Sequence, residues 1–131
     1  MVSINLFVPD SREAMDFYRR AFGAVAVRTH FEGSQGERAA RFTIGQDRFA
    51  MADENARWGA KSPLTLGGAP LCIQLFVEDV RVAAERALNA GGKVVAPGTE
   101  GQPLFTTPDG TECCNVADPF GFVWSISREK A

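Results

Sequence analysis

The chain is short of the residues that most often carry chemistry. It has one histidine, His30, three cysteines and one tyrosine in 131 residues. A catalytic zinc centre needs about three protein ligands, so a lone histidine leaves little to build on. Cys72, Cys113 and Cys114 form no CxxC pair and leave an odd count, which argues against a disulfide scaffold. Cys113 and Cys114 are adjacent, so on a strand they would address opposite faces. Excess positive charge is also lacking: 14 Lys and Arg stand against 16 Asp and Glu, a formal net charge of −2. In these totals no basic surface advertises itself for a phosphate backbone or an anionic lipid, and a nucleic-acid or membrane partner is not expected. The start, MVSINLFVPD, has neither a cationic leader nor an apolar run long enough for a signal peptide or a membrane span. The expectation is a cytoplasmic protein. Hydrophobic content of 45% over this length is enough for one domain with a core of its own.

What the chain does have is a repeat. Residues 4–23, INLFVPDSREAMDFYRRAFG, and residues 73–92, IQLFVEDVRVAAERALNAGG, superimpose at an offset of 69. Ile4, Leu6, Phe7, Val8, Asp10, Arg12, Ala14, Ala21 and Gly23 meet their own residue type, and Asn5 meets Gln74. Two copies are too few for a solenoid. They predict a pseudo-symmetric single domain over 1–131, with a first module at 1–53, a connecting loop at 54–70 and a second module at 71–131.

In the first module, residues 2–8 read as a strand. Period two puts Val2, Ile4, Leu6 and Val8 on an aliphatic face and Ser3, Asn5 and Phe7 on a mixed one; the first suits a helix, the second a cavity wall. Asp10 opens a helix with Glu13 three residues on. Ala14, Phe17, Tyr18, Ala21 and Phe22 form its apolar stripe, and Gly23 stands where a left-handed residue ends a helix. Residues 24–31, 38–44 and 48–53 read as strands, separated by a loop at Gly33, Ser34, Gln35 and Gly36 and a tight connection at Gly45, Gln46 and Asp47. Arg28, His30, Arg41 and Arg48 alternate with apolar residues, as in a sheet with one wet face. The unit is βαβββ.

The connection from Glu54 to Pro70 has no periodicity, and Trp58 within it reads either as a lid over a pocket or as a plug on the core. The second module repeats the plan. Leu71 to Val77 is a strand with Cys72, Gln74 and Phe76 on one face, and Asp79 caps a helix with Val80, Ala83, Ala84, Ala87 and Leu88 on its stripe. Val94 and Val95, then Leu104 and Phe105, then 112–116 and 122–126 follow as strands. Asp118, Pro119, Phe120 and Gly121 make a turn that needs no catalytic explanation.

A repeated βαβββ unit with Phe17-Tyr18, then Ala21-Phe22-Gly23-Ala24, and a terminal Asp118-Pro119-Phe120-Gly121-Phe122-Val123-Trp124 resembles the vicinal oxygen chelate superfamily of glyoxalase I, bleomycin-resistance proteins, fosfomycin-resistance enzymes and extradiol dioxygenases. The wording is most similar to its PhnB-like subgroup. The resemblance implies an α+β fold in which two modules form one curved mixed sheet around a cup, and it implies a homodimer. It also implies metal ligands at set positions. Counted from the capping and turn aspartates these are Ser3, Cys72 and Ser125, with a fourth near Met51, and none is His or Glu. Such side chains suit imidazole- and carboxylate-loving divalent ions poorly. A substitute set of His30, Cys72 and Cys113 or Cys114 has no supporting spacing.

Without a metal or other cofactor, the cup holds two amides, Asn5 and Gln74, flanked by Phe7 and Phe76, with Phe42, Trp58 and Trp124 as further flat surfaces. This composition, apolar with few polar groups, is that of a small-molecule site. A second reading has the two amides bonded to each other or to backbone, with Trp124 in the core. No catalytic residue is assigned, since no nucleophile has a base beside it. The expected function is metal-free binding of a small, partly aromatic molecule, of sequestration or resistance type. The alternatives are a divergent metal-dependent lyase, isomerase or dioxygenase, a metal-independent acid–base catalyst with a carboxylate such as Asp53 or Glu112 as its base, and an interaction protein whose cup is filled by its own side chains.

Overall fold

The computed structural model describes residues 1–31 and 38–129; the expected loop at Gly33, Ser34, Gln35 and Gly36 lies outside the described residues. The chain divides into two units, Met1–Gly68 and Ala69–Ala131, each with its own α+β arrangement. Among the described residues no helix is long and apolar enough to cross a membrane.

The first unit runs β1 (Ile4–Val8), α1 (Ser11–Phe22), β2 (Val25–His30), β3 (Ala39–Ile44) and β4 (Asp47–Asp53). The sheet order is β1-β4-β3-β2. β1 runs parallel to β4, and the other pairs are antiparallel. Residues paired across strands share a face. Leu6 pairs with Met51, Phe49 with Phe42, and Phe42 with Ala26. Leu6, Val8, Ala40, Phe42, Ile44, Phe49 and Met51 are all buried and form one apolar face. Helix α1 lies against β3 and β4 and supplies Ala14, Phe17, Tyr18 and Ala21. Phe42 is stacked between Tyr18, at 5.5 Å, and Phe49, at 5.2 Å.

Helix α1 starts and stops where its sequence dictates. The Asp10 carboxylate accepts from the backbone N–H groups of Arg12 and Glu13, satisfying donors that a helix start leaves open. Gly23 takes φ 69° and its N–H bonds the Arg19 carbonyl, a conformation that a Cβ would strain. The start is also tied to the end of β4. Asp53 accepts from the Ser11 N–H at 2.7 Å and from Arg38 Nε at 2.8 Å, and Arg38 reaches Asp10 at 3.4 Å. The hydrogen bond to Asp53, with its charge, raises the Arg38 pKa. Asp53, a possible base by sequence, is therefore a brace between strand and helix.

The connection expected as plain loop contains a 3-10 turn, Ala56–Trp58, and one helical turn, α2 (Pro63–Leu66), capped by Ser62. Glu54 organises it. Its carboxylate accepts from the Thr65 hydroxyl at 2.7 Å and the Ser62 N–H at 3.1 Å. These bonds, that of Thr65 first, hold its pKa below the ordinary value of 4.5.

The second unit runs β5 (Cys72–Phe76), α3 (Val80–Asn89), β6 (Lys93–Val95), β7 (Phe105–Thr106), β8 (Glu112–Ala117) and β9 (Val123–Ser127). The order is β5-β9-β8-β6, with β7 also on β8 and β5 parallel to β9. Ile73 pairs with Trp124, and Trp124 with Val116. These residues, with Cys114 and Ile126, are buried on the face against which α3 packs. Packing there is close: a Cβ on Gly92 would meet Val116 Cγ1 at 2.5 Å and the Ala87 carbonyl at 3.0 Å. Hydrogen bonding thus forms two sheets, one per module.

The turn from Asp118 to Gly121 is built around a buried carboxylate. Asp118 Oδ1 accepts from the N–H groups of Phe120 and Phe122, both at 2.9 Å, and Oδ2 accepts from Trp124 Nε1 at 3.0 Å. In Asp118→Asn the oxygen can keep both backbone bonds, but the amide nitrogen then faces the indole N–H donor to donor. The expected loss is about 1–3 kcal/mol, read as a lower urea midpoint at unchanged m-value. A second test concerns Glu54. A carboxylate with a depressed pKa stabilises the fold above its unfolded value and loses that contribution as pH falls through the folded one. Urea titrations of wild type and Glu54→Gln should therefore differ above pH 4.5 and converge as the pH is lowered beneath it.

Candidate functional site

In each sheet the helix covers one face, and the opposite face carries the polar side chains. On the first sheet, registers align Asn5, Ala50, Arg41 and Arg28 in one row across all four strands, and Phe7, Ala52, Ala39 and His30 in the next. Asn5, Arg28, His30 and Arg41 are exposed, while Phe7 and the three alanines are half-buried. Small residues between larger ones leave a shallow floor with an amide and a ring at one side.

On the second sheet the corresponding row is Gln74, Ser125 and Asn115, followed at β6 by Val95. Cys72 pairs with Val123, and Phe76 with Ser127. Three uncharged hydrogen-bonding side chains thus stand side by side on adjacent strands. Asn115 Nδ2 donates to the Ala96 carbonyl at 3.2 Å, which leaves its oxygen as an acceptor. Asn115 is not evident as a site residue in sequence, although the period of Cys113, Asn115 and Ala117 along β8 is the signal that places it. Among the described residues neither Asn5 nor Gln74 has a side-chain hydrogen bond. Phe76 is 52% exposed, an open ring two residues from Gln74.

Three expected positions need correction. Phe42 lies on the helix-covered face, 1% exposed between Tyr18 and Phe49. Trp124 is fully buried on the face beneath α3 and bonded to Asp118. Both rings have the parity of the core residues beside them, so neither lines an open face. Met51 pairs with Leu6 and shares its burial, which removes it from any ligand set facing outward. Trp58 is 74% exposed at the end of its 3-10 turn, so it is not a core plug. Glu112 has the parity of Cys114 and Val116, on the side away from Gln74.

The metal that the family pattern implies finds no suitable donor set. Ser3 precedes β1 and is exposed. Ser125 is flanked by Gln74 and Asn115, neutral amides that bring no charge to a divalent ion. His30 stands on β2, three strands from β1, about 14 Å away at ordinary strand spacing. Burial raises the thiol pKa of Cys113 and of Cys114, which works against the thiolate form a metal requires. Among the described residues no three of His, Cys, Asp and Glu converge.

Comparison with known proteins bears on the same geometry. The family model of the Glyoxalase/Bleomycin resistance protein/Dioxygenase superfamily matches residues 1–126. An uncharacterised protein of Mycobacterium bovis is 39% identical over 131 residues, covering 97% of this chain and 82% of its own. Among solved structures, a glyoxalase-related enzyme from Fulvimarina pelagi superimposes with a TM-score of 0.75 at 21% identity, covering 98% of this chain and 88% of its own. A fosfomycin resistance protein from Listeria monocytogenes, complexed with Mn(II) and a dihydroxypropylphosphonic acid, gives 0.69 at 15% identity, with 99% and 90% covered. On the match over nearly its whole length, the chain belongs to the glyoxalase/bleomycin resistance/dioxygenase superfamily.

Proposed function

We propose that this member of the superfamily is a binding protein that holds a small, partly aromatic organic molecule on an uncovered sheet face without a metal, in the manner of sequestration or resistance proteins. The observation that carries the reading is the row of Gln74, Ser125 and Asn115 beside the exposed ring of Phe76. Gln74 and Asn115 both donate and accept, Ser125 does so through one hydroxyl, and the ring offers a stacking surface. The pair of Asn5 and Phe7 on the first sheet repeats the chemistry. Amides orient a polar edge without demanding a charged ligand, and an apolar lining with few polar groups is the usual make-up of a ligand site.

The same residues speak against metal-dependent turnover. The positions at which the family pattern expects ligands hold serines, a cysteine and a buried methionine, and among the described residues neither Ser125 nor Cys72 is hydrogen-bonded to a base; their strand partners are Gln74, Asn115 and Val123. The Ala21-Phe22-Gly23-Ala24 and Asp118-Pro119-Phe120-Gly121 wording supports placement in the PhnB-like subgroup. A homodimer is part of the proposal, supported by exposed apolar side chains at Trp58, Leu64 and Leu66.

Native mass spectrometry of gently purified protein tests these points together. The expected spectrum shows a dimer with a retained organic mass and no stoichiometric metal. Stoichiometric nickel, zinc, manganese or iron, with turnover that chelation abolishes, would overturn the reading in favour of a divergent lyase, isomerase or dioxygenase. Once a retained compound is identified, Gln74→Ala should weaken its binding about tenfold, the usual scale for one lost hydrogen bond in a desolvated site. Isothermal titration calorimetry of wild type and variant measures the difference.

A further inference from the structure

The uncovered face of the first sheet carries an arrangement that stability alone disfavours. Arg28 on β2 and Arg41 on β3 are direct cross-strand partners. Like charges placed opposite each other in a sheet repel. Arg48 on β4 pairs with Thr43, two residues from Arg41, and so stands diagonal to it, about 7–8 Å between backbones. All three arginines are exposed. The carboxylates of the four strands, Asp47 and Asp53, pair with Ile44 and Val8 and therefore belong to the helix-covered side. Among the described residues no salt bridge reaches Arg28, Arg41 or Arg48. Among the described residues the one polar side-chain contact of the trio is Arg48 Nη1 to Met1 Sδ at 3.4 Å. Three guanidiniums without an ion pair among the described residues thus share one face in a chain of net charge −2.

Local backbone geometry brings the pair together. The β2–β3 register shifts between Ala26 and Arg28, a bulge that sets Val27 and Arg28 against Arg41. Bulges re-aim side chains and are enriched beside functional sites. Without the shift, the residue after Ala26 would face Arg41, and that residue is Val27. Beside the cations lies the floor of Ala39, Ala50 and Ala52, with Asn5 and Phe7 beyond it.

We infer that Arg28 and Arg41, assisted by Arg48, form an oxyanion site that takes the carboxylate or phosphate group of a small organic ligand whose remaining part lies over Ala50 and Ala52 toward Asn5 and Phe7. The inference rests on the binding reading above and narrows it to an acidic ligand. A guanidinium presents its N–H groups in a planar fork that matches two oxygens at once. Two such forks facing each other are repelled when empty and held together by one anion between them. The alanines leave room for a ring, and Phe7 with Asn5 gives that ring an apolar contact and a hydrogen bond.

The test titrates wild type, Arg28→Gln, Arg41→Gln and Arg41→Lys with inorganic phosphate, benzoate and the neutral isostere benzamide, reading backbone amide shifts by NMR and melting temperature at low ionic strength. Wild type should bind phosphate and benzoate saturably, with shifts centred on Arg28, Arg41 and Ala50, and benzoate should bind at least tenfold more tightly than benzamide. Each glutamine variant should lose about tenfold in anion affinity, while its melting point without anion rises because the like-charge pair is gone. Arg41→Lys, which keeps charge but not the fork, should recover only part of the binding. Equal binding of benzoate and benzamide, unchanged by the glutamine substitutions, overturns the oxyanion site but leaves small-molecule binding standing. Phosphate binding at the arginines without a response to either aromatic probe supports the oxyanion site and counts against the aromatic part of the binding reading. No saturable response to phosphate or benzoate, or a lower melting point in both glutamine variants without anion, overturns the site.

Discussion

The alternation of side chains along a strand, fixed by register, is the constraint on which the rest of this structure depends. Each module brings one amphipathic helix to one sheet, and a helix can cover only one face. Once Leu6 faces α1, so must Met51, Phe49 and Phe42, because they are its direct or next-neighbour partners. The other face then receives Asn5, Phe7 and the arginines by necessity. The same rule in the second unit buries Ile73, Trp124 and Val116 and leaves Gln74, Ser125 and Asn115 outward. A one-residue slip would exchange these sets entirely, so the devices that pin register also determine the chemistry of the open faces.

Two carboxylates do much of that pinning. Asp53 joins the last strand of the first module to the first turn of α1 through Ser11 and Arg38. Asp118 closes the β8–β9 turn and holds the Trp124 indole. Both are acids, the residue type from which catalytic bases are drawn. Each is already committed to hydrogen bonds that fix the fold, and neither has the parity of the open face. The surfaces left for ligands are consequently poor in acids and rich in amides, hydroxyls and guanidiniums.

Much of this was legible in the residues themselves. The repeat gave the number of modules, and the helix caps at Asp10, Asp79 and Gly23 stand where local chemistry demands. The separation of Leu6 and Val8 from Asn5 and Phe7 followed from period two alone. Phe42 stands away from its expected face and Trp124 takes the core position of the second reading, because an aromatic residue suits either a core or a binding face. Only the pairing of its strand with a neighbour of known orientation decides between them. Met51 was counted as a ligand position by analogy with a family, a kind of counting that carries no information about facing. The row of Gln74, Ser125 and Asn115 and the opposition of Arg28 and Arg41 arise from contacts between distant segments, one of them through a bulge. A linear reading supplies the residue types but not their juxtaposition.

The central claim is that the uncovered sheet faces, and not a metal centre, carry this protein's function. Chemical-shift mapping of the whole backbone, first with a library of small aromatic acids and amides and then with zinc and manganese, tests it most directly. The account predicts that the organic probes move Asn5, Phe7, Ala50, Gln74, Asn115 and Ser125, and that the metals produce no saturable site. A saturable metal site near Ser3, Cys72 or Ser125, or organic binding confined to residues outside both faces, would contradict it.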